Sequence, residues 1–323
     1  MSSLEVRKVQ ESAGTFFISL PKPWILRNNV TKGSTLVLLE RADGSLNITP
    51  GYRIEKNLEA ATLEFSPLIE REIISKYMLG FDLITVSSRD RLKSEDLEHL
   101  KAVTRRLIGL EIVEENSRTV KLQCLLEPTA FPPERILRRE YLLVASMHRD
   151  LILCLSERDV HLADAIVKRD DEVDRLYFLL VRILRTIIRH PAMSEELHFP
   201  PIDCLDYRLV ASFIEAIADQ LVGIAEQVSP RLPSAPDPFL DSLQDLLSET
   251  FKLHEEAIHS FLSKEFKQAN KVRERRQVLS ERLRSLEAKI AELPLQEFLY
   301  AFTILSSLAR ILDYVVDIAD MVS

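Results

Sequence analysis

Three hydrophobic textures follow one another along the chain. Between Leu4 and Pro50 the apolar residues come in short β-rich runs. Leu4-Glu5-Val6-Arg7-Lys8-Val9 and Thr15-Phe16-Phe17-Ile18-Ser19-Leu20 predict two strands, with Gly14 at the turn between them. Pro21 and Pro23 cannot continue a ladder, because proline has no donor, and they open a short predicted helix over Pro23–Asn28. Thr35–Glu40 and Ser45–Thr49 then predict a hairpin over Asp43-Gly44. From 52 to 128 the pattern alternates. Strands near Thr62–Phe65 and Phe81–Ser87 are interleaved with helices over Pro67–Leu79 and Ser94–Ile108, and a hairpin, Leu110–Glu115 with Thr119–Leu125, closes the segment.

After Phe131 the period changes to that of helices. Three long helices are expected over 132–156, 159–189 and 202–228. A Ser/Pro-rich linker follows at 229–236, and then three more over 238–262, 264–293 and 294–322. Asp219-Gln-Leu-Val-Gly-Ile-Ala-Glu-Gln-Val228 aligns without gaps on Asp313-Tyr-Val-Val-Asp-Ile-Ala-Asp-Met-Val322, at the end of the third helix in each set. That correspondence predicts an internal duplication, with two three-helix units packing to cover each other's apolar faces. The expected fold class is therefore mostly α with a small β head, and the expected segments are 1–51, 52–128, 129–229 and 237–323.

Composition narrows the functional classes. The 323 residues include only 7 Gly, which disfavours a glycine-cradle nucleotide site, and no phosphate-binding loop appears in 52–128. Cys124, Cys154 and Cys204 lack paired spacing, so neither a disulfide framework nor a zinc knuckle is expected. Together with an N-terminus that lacks a signal-peptide profile, this points to a cytoplasmic protein. The apolar stretch Leu176–Ile188 is broken by Arg182 and Arg185, so no membrane insertion is expected. The seven histidines show no H-x-x-x-H or triad spacing, and an enzyme is not expected. The net charge is −8, but residues 1–50 carry six Lys/Arg against four acids. A small basic head on an acidic body is the pattern of a nucleic-acid-facing end.

One group of acids interrupts an apolar face. Ile166, Val173, Tyr177, Leu180 and Leu184 form a ladder in which Asp170 and Asp174 sit one turn apart. Glu215 and Asp219 repeat the i,i+4 spacing on the third helix, in a row with Ala211, Ala218 and Val222. Such pairs lie about 6 Å apart on one face. Alone they repel. Facing each other across a bundle they form an all-oxygen set that a divalent or trivalent cation can neutralise. Solvated helix acids are the alternative explanation.

Two tandem three-helix units with acids at this spacing resemble the PhoU family. Glu215-Ala-Ile-Ala-Asp219-Gln-Leu-Val-Gly-Ile-Ala-Glu226 is similar to the family's third-helix signature, and the resemblance covers roughly 131–323. It implies metal ligation by Asp170, Asp174, Glu215 and Asp219, with iron, manganese or zinc as the candidate ions. It also implies negative regulation of phosphate uptake through a transport ATPase or a sensor kinase. Ala216 and Gln220 depart from the signature's Arg and His. The second unit departs further: Arg276, Ser280 and Ala309 stand opposite Asp170, Asp174 and Glu215, and only Asp313 matches, so a single site in the first unit is expected.

Gly14-Thr-x-x-Ile18-Ser-Leu-Pro21-Lys22-x-Trp24, Gly33, and Gly44-x-Leu46-x-Ile48-x-Pro50 resemble the AbrB/SpoVT family over residues 4–50. That resemblance implies a swapped-hairpin β-barrel, an obligate homodimer, and promoter-DNA contact through Arg7, Lys8, Lys22 and Arg27. The combined expectation is a dimeric regulator of phosphate uptake. An adaptor that docks on the transport ATPase or kinase, with the head used only for dimerisation, is the alternative.

Overall fold

The structure, a computed structural model, describes residues 5–40, 44–50, 58–232 and 238–322. The predicted Asp43-Gly44 turn, the boundary near residue 52 and the 233–236 part of the linker fall wholly or partly outside them. The chain divides into two compact units, Met1–Leu58 and Glu59–Ser323.

In the first unit β1 (Gln10–Ser12) pairs antiparallel with β2 (Thr15–Phe17), turning at Ala13 and Gly14, both with positive φ. Helix α1 (Lys22–Arg27) carries a proline in its first turn. β3 (Leu36–Glu40) pairs with β4 (Leu46–Pro50) from Leu36↔Pro50 to Glu40↔Leu46. Residues 5–9, expected as strand, are irregular, and the first strand begins at Gln10. Within one chain the head is thus two separate hairpins, not a closed barrel.

The second unit opens with an α/β module. β5 (Ala60–Glu64), α2 (Ile69–Met78) and β6 (Leu83–Ser87) form a parallel β-α-β crossover; α3 (Ser94–Arg105) leads to the hairpin β7 (Leu110–Glu115) and β8 (Thr119–Cys124). The sheet order is β5-β6-β8-β7. Alternate residues Ile84, Val86, Val120 and Leu122 are buried with Ile69, Ile73, Tyr77, Leu100 and Val103 of the two helices, so one sheet face makes the module's core. Gly109 must be glycine: its φ is +76°, and a Cβ there would lie 2.3 Å from Leu126.

Among the described residues, seven α-helices complete the unit: α4 (Pro133–Glu157), α5 (Val160–Arg189), α6 (Pro191–Leu197), α7 (Asp203–Val228), α8 (Pro238–Ser263), α9 (Phe266–Ile290) and α10 (Leu295–Asp320). Each long helix lies within a few residues of its predicted span. The short α6 was not expected, because Pro191 reads as a stop. In the structure that proline occupies a first helical turn, where its missing donor costs nothing. Helices α4, α5 and α7 pack as one bundle and α8, α9 and α10 as another; α4 meets α8 and α7 meets α10, and all share one apolar core. By length and composition α10 could cross a membrane, unlike the stretch singled out in the sequence, but its Ile304, Leu305, Leu308, Ile311 and Val315 are fully buried in the bundle.

The duplication is visible in atomic detail where the first helices meet. One sequence separation relates Arg158 to Lys264, His148 to His254 and Tyr141 to Leu247. Arg158 and Lys264 both end their helices in the left-handed region, with φ of 56° and 55°. His148 Nε2 donates to the Leu247 carbonyl at 3.1 Å, while the His254 ring packs edge-on against Tyr141 with centroids 5.2 Å apart. Each histidine thus touches the counterpart of the residue that the other touches.

The module is fastened to the first bundle by Arg182 of α5. Its guanidinium is 4% exposed and donates to the carbonyls of Tyr77 and Phe81, at 2.9 and 2.8 Å, and to Asp82 at 3.0 Å. It also lies 5.1 Å from the centre of the Tyr77 ring. Arg189 donates to the Leu79 carbonyl and pairs with Glu59. Arg182→Met keeps the apolar stem but strands two carbonyls and Asp82. A loss of about 2–4 kcal/mol is expected in chemical denaturation, with faster amide exchange in α2.

Burial holds His148 at a pKa of about 4 and His254 at about 3. In the unfolded chain both return to about 6.5, so the unfolded state gains protons first as pH falls. Their contribution to stability is complete above about pH 6.5 and is lost below it. Between pH 6.5 and 5, unfolding free energy of the wild type should therefore fall more steeply than that of His254→Phe, the extra slope growing to about 1.4 kcal/mol per pH unit by pH 5. Parallel curves would show that His254 is not held neutral.

Candidate functional site

The four acids singled out in the sequence lie on two helices of the first bundle. Asp170 and Asp174 project from α5, and Glu215 and Asp219 from α7, with Asp219 exposed and the other three half-buried. Burial raises Asp170 to a pKa of about 6, aided by Asp219, Asp174 and Asp171 and opposed by Arg106. It raises Glu215 to about 7, aided by Asp219, Asp174 and Asp170 and opposed by Arg208. Asp219 is raised by burial and by Asp174. Asp174 and Asp219 thus disfavour charge on both Asp170 and Glu215.

Two participants were not foreseen. The first is Glu140 of α4, which is completely buried; neither of its carboxyl oxygens has a hydrogen-bond partner. Burial and neighbouring Glu215 push its pKa far above the usual carboxylate range, against a weaker pull from Arg208. Its signal was present in the sequence, because Glu140 occupies an apolar-face position between Leu137 and Val144. The second is Arg106, just after α3. It donates 2.5 Å to Glu70 of α2 and 2.9 Å to Asp174 of α5, joining the module to the acidic face. Nothing local in the sequence marks a contact that spans such a separation.

Among the described residues, no three His, Cys, Asp or Glu side chains converge closely enough to hold a metal ion. The donor set is hard oxygen, as magnesium, manganese or iron would require, but as arranged it does not form a coordination shell. The Arg106 guanidinium provides positive charge beside Asp174, where a cation would otherwise be needed.

The second bundle uses the same frame but keeps only Asp313, the counterpart of Asp219, among these acids. Leu246, Arg276, Ser280 and Ala309 stand where Glu140, Asp170, Asp174 and Glu215 stand in the first. Arg276 pairs with Asp313 at 2.6 Å, so the charge there is balanced within the bundle. On the head, Lys8, Lys22 and Arg27 are exposed and make no ion pair among the described residues, whereas Arg7 pairs with Glu5.

A raised acid pKa stabilises the fold only below the unfolded value of 4.5, and this contribution is lost as pH rises above it. Glu140→Leu, which copies the second bundle's Leu246, should therefore stabilise the protein at pH 7 by about 1–3 kcal/mol. The gain should shrink as pH falls toward 4.5. Urea denaturation at the two pH values measures both; a loss of stability at pH 7 would contradict the uncompensated burial.

The sequence model of the PhoU domain matches residues 137–228, which span the first bundle. No curated protein sequence matches the chain. Among solved structures, the fold is similar to PhoU from Pseudomonas aeruginosa, with a TM-score of 0.53 and 19% identity, covering 59% of this chain and 93% of that one. The phosphate transport system regulatory protein PhoU from Streptococcus pneumoniae aligns with a TM-score of 0.49 and 16% identity, over 59% of this chain and 91% of that one. Residues 137–228 thus match the PhoU domain model, in a chain whose fold is similar to that of PhoU from Pseudomonas aeruginosa over 59% of its length.

Proposed function

We propose that this chain regulates phosphate transport as a homodimer. Its helical body receives a signal from a phosphate-transport ATPase or sensor kinase, and its head binds promoter DNA. The observation that carries the reading is the PhoU domain at 137–228. The role is regulatory, and no catalytic constellation enters it.

The head's surface supports the dimer. Val9, Phe16, Leu38 and Leu46 are each at least 60% exposed in a single chain. Isolated two-stranded hairpins are marginal in water, and a second head would cover these side chains. Lys8, Lys22 and Arg27 supply uncommitted positive charge for phosphates; Arg7 must first leave Glu5.

A second reading, cation binding at Asp170, Asp174, Glu215 and Asp219, draws support from their mutually raised pKa values and from the unpartnered Glu140. It requires these side chains to draw closer than they stand and Arg106 to yield. Elemental analysis of protein purified without chelator, before and after soaking with iron, manganese or zinc, tests it. Absence of bound metal in both samples ends that reading.

Sedimentation should give a dimer that Phe16→Asp converts to monomer. The intact dimer should shift DNA from upstream of phosphate-transport genes at low salt. The shift should weaken steeply with added salt, because phosphate contacts release counterions. Lys8→Ala with Arg27→Ala should lose the shift and keep the dimer. A dimer that captures the transport ATPase but shifts no DNA would instead establish the adaptor role.

A further inference from the structure

A cavity of about 510 Å³ lies where the module meets the first bundle, lined by the part of α5 that follows its acidic residues. Leu79 and Phe81 line it from the module, Val181 and Leu184 from α5, and Leu205 from α7. Its volume falls within the range of small-molecule sites. It is open to solvent where Ile188 and Leu205 are about half exposed.

Three guanidiniums, Arg185, Arg189 and Arg208, and one carboxylate, Glu59, line this otherwise apolar space. They are not equivalent. Arg189 is committed, because it pairs with Glu59 and donates to the Leu79 carbonyl. It lies so close to the backbone that a Cβ on Gly80 would be 3.3 Å from its Nη1. Arg185 makes no hydrogen bond or ion pair among the described residues. Arg208 stacks on the Tyr177 ring, 4.7 Å from its centre, and its charge is felt by Glu140 and Glu215 without an ion pair to either. The remaining polar side chain, Cys204, is kept neutral by burial, at a pKa of about 11. The cavity therefore combines an apolar wall with two cations that have no carboxylate within ion-pair distance among the described residues. Guanidiniums in such surroundings favour planar or tetrahedral oxyanions, which they grip with paired hydrogen bonds.

We propose that this cavity binds a small amphiphilic anion, its apolar body against Leu79, Phe81, Val181, Leu184 and Leu205 and its carboxylate or phosphate head between Arg185 and Arg208. Both the module and the bundle line the space, so an occupant touches the two parts that Arg182 fastens together. The inference is independent of phosphate regulation.

Calorimetric titration of the full chain with decanoate and with monodecyl phosphate, each below its micelle concentration, tests the site. Binding of either is expected, with decyltrimethylammonium at least tenfold weaker. Preference between the two anions assigns the head group, and either preference supports the site. Arg185→Gln should weaken binding about tenfold or more. Leu205→Trp, a substitution at an exposed position, should block the cavity and abolish binding while circular dichroism stays unchanged. Equal affinity for the cationic amphiphile would overturn the proposal. So would binding of neither anion, inorganic phosphate binding as tightly as monodecyl phosphate, or wild-type affinity in both variants.

Discussion

The Arg182 guanidinium is a charge taken out of water and repaid by four neighbours. Two carbonyls at the end of α2 and just beyond it, the Asp82 carboxylate and the face of Tyr77 surround it. A buried cation is tolerated only with its partners complete, so the end of α2, the start of β6 and the middle of α5 must keep one relative geometry. Tyr77 links this junction to the module's own core, since its hydroxyl donates 2.8 Å to the Ile108 carbonyl. The module is thereby built into the helical body. Arg106, just after α3 in the same module, ties it again to Asp174.

Around that junction the two bundles share a frame and differ in charge. The matched left-handed helix ends at Arg158 and Lys264, and the reciprocal contacts of His148 and His254, show how closely the backbone pattern was kept. The chemistry was not kept. Leu246 and the Arg276–Asp313 pair satisfy the second bundle internally, whereas Glu140, Asp170 and Glu215 leave the first with acids that resist ionisation. Uncompensated burial costs stability, and such costs concentrate where a protein has a use for them. The match to the PhoU domain model covers the bundle that bears this cost.

Helix α5 links three of these features. Its N-terminal half presents Asp170 and Asp174, Arg182 follows two turns later, and its last turns line the cavity with Arg185 and Arg189. A rigid helix transmits small displacements along its length better than a loop does. An event at the acids and an event at the cavity would therefore bear on the same fastening to the α/β module.

Periodicity alone made the long helices, the α/β alternation and the duplication legible, because burying one face of a helix or strand imposes a repeat that any short window reveals. The pairing of Asp170 and Asp174 with Glu215 and Asp219 was readable for the same reason, since each pair is set by one helical turn. Pro191 misled because the same residue stops one helix and starts another. Whether the acids have compensation depended on residues that no window contains: Arg106 reaches Asp174 from another layer, and Glu140 is stranded only because α4 presses it into the bundle. Local spacing dictates which groups share a face. Only the packed tertiary structure decides which charges are shielded, paired or left alone, because desolvation and Coulomb interactions act through space and not along the chain.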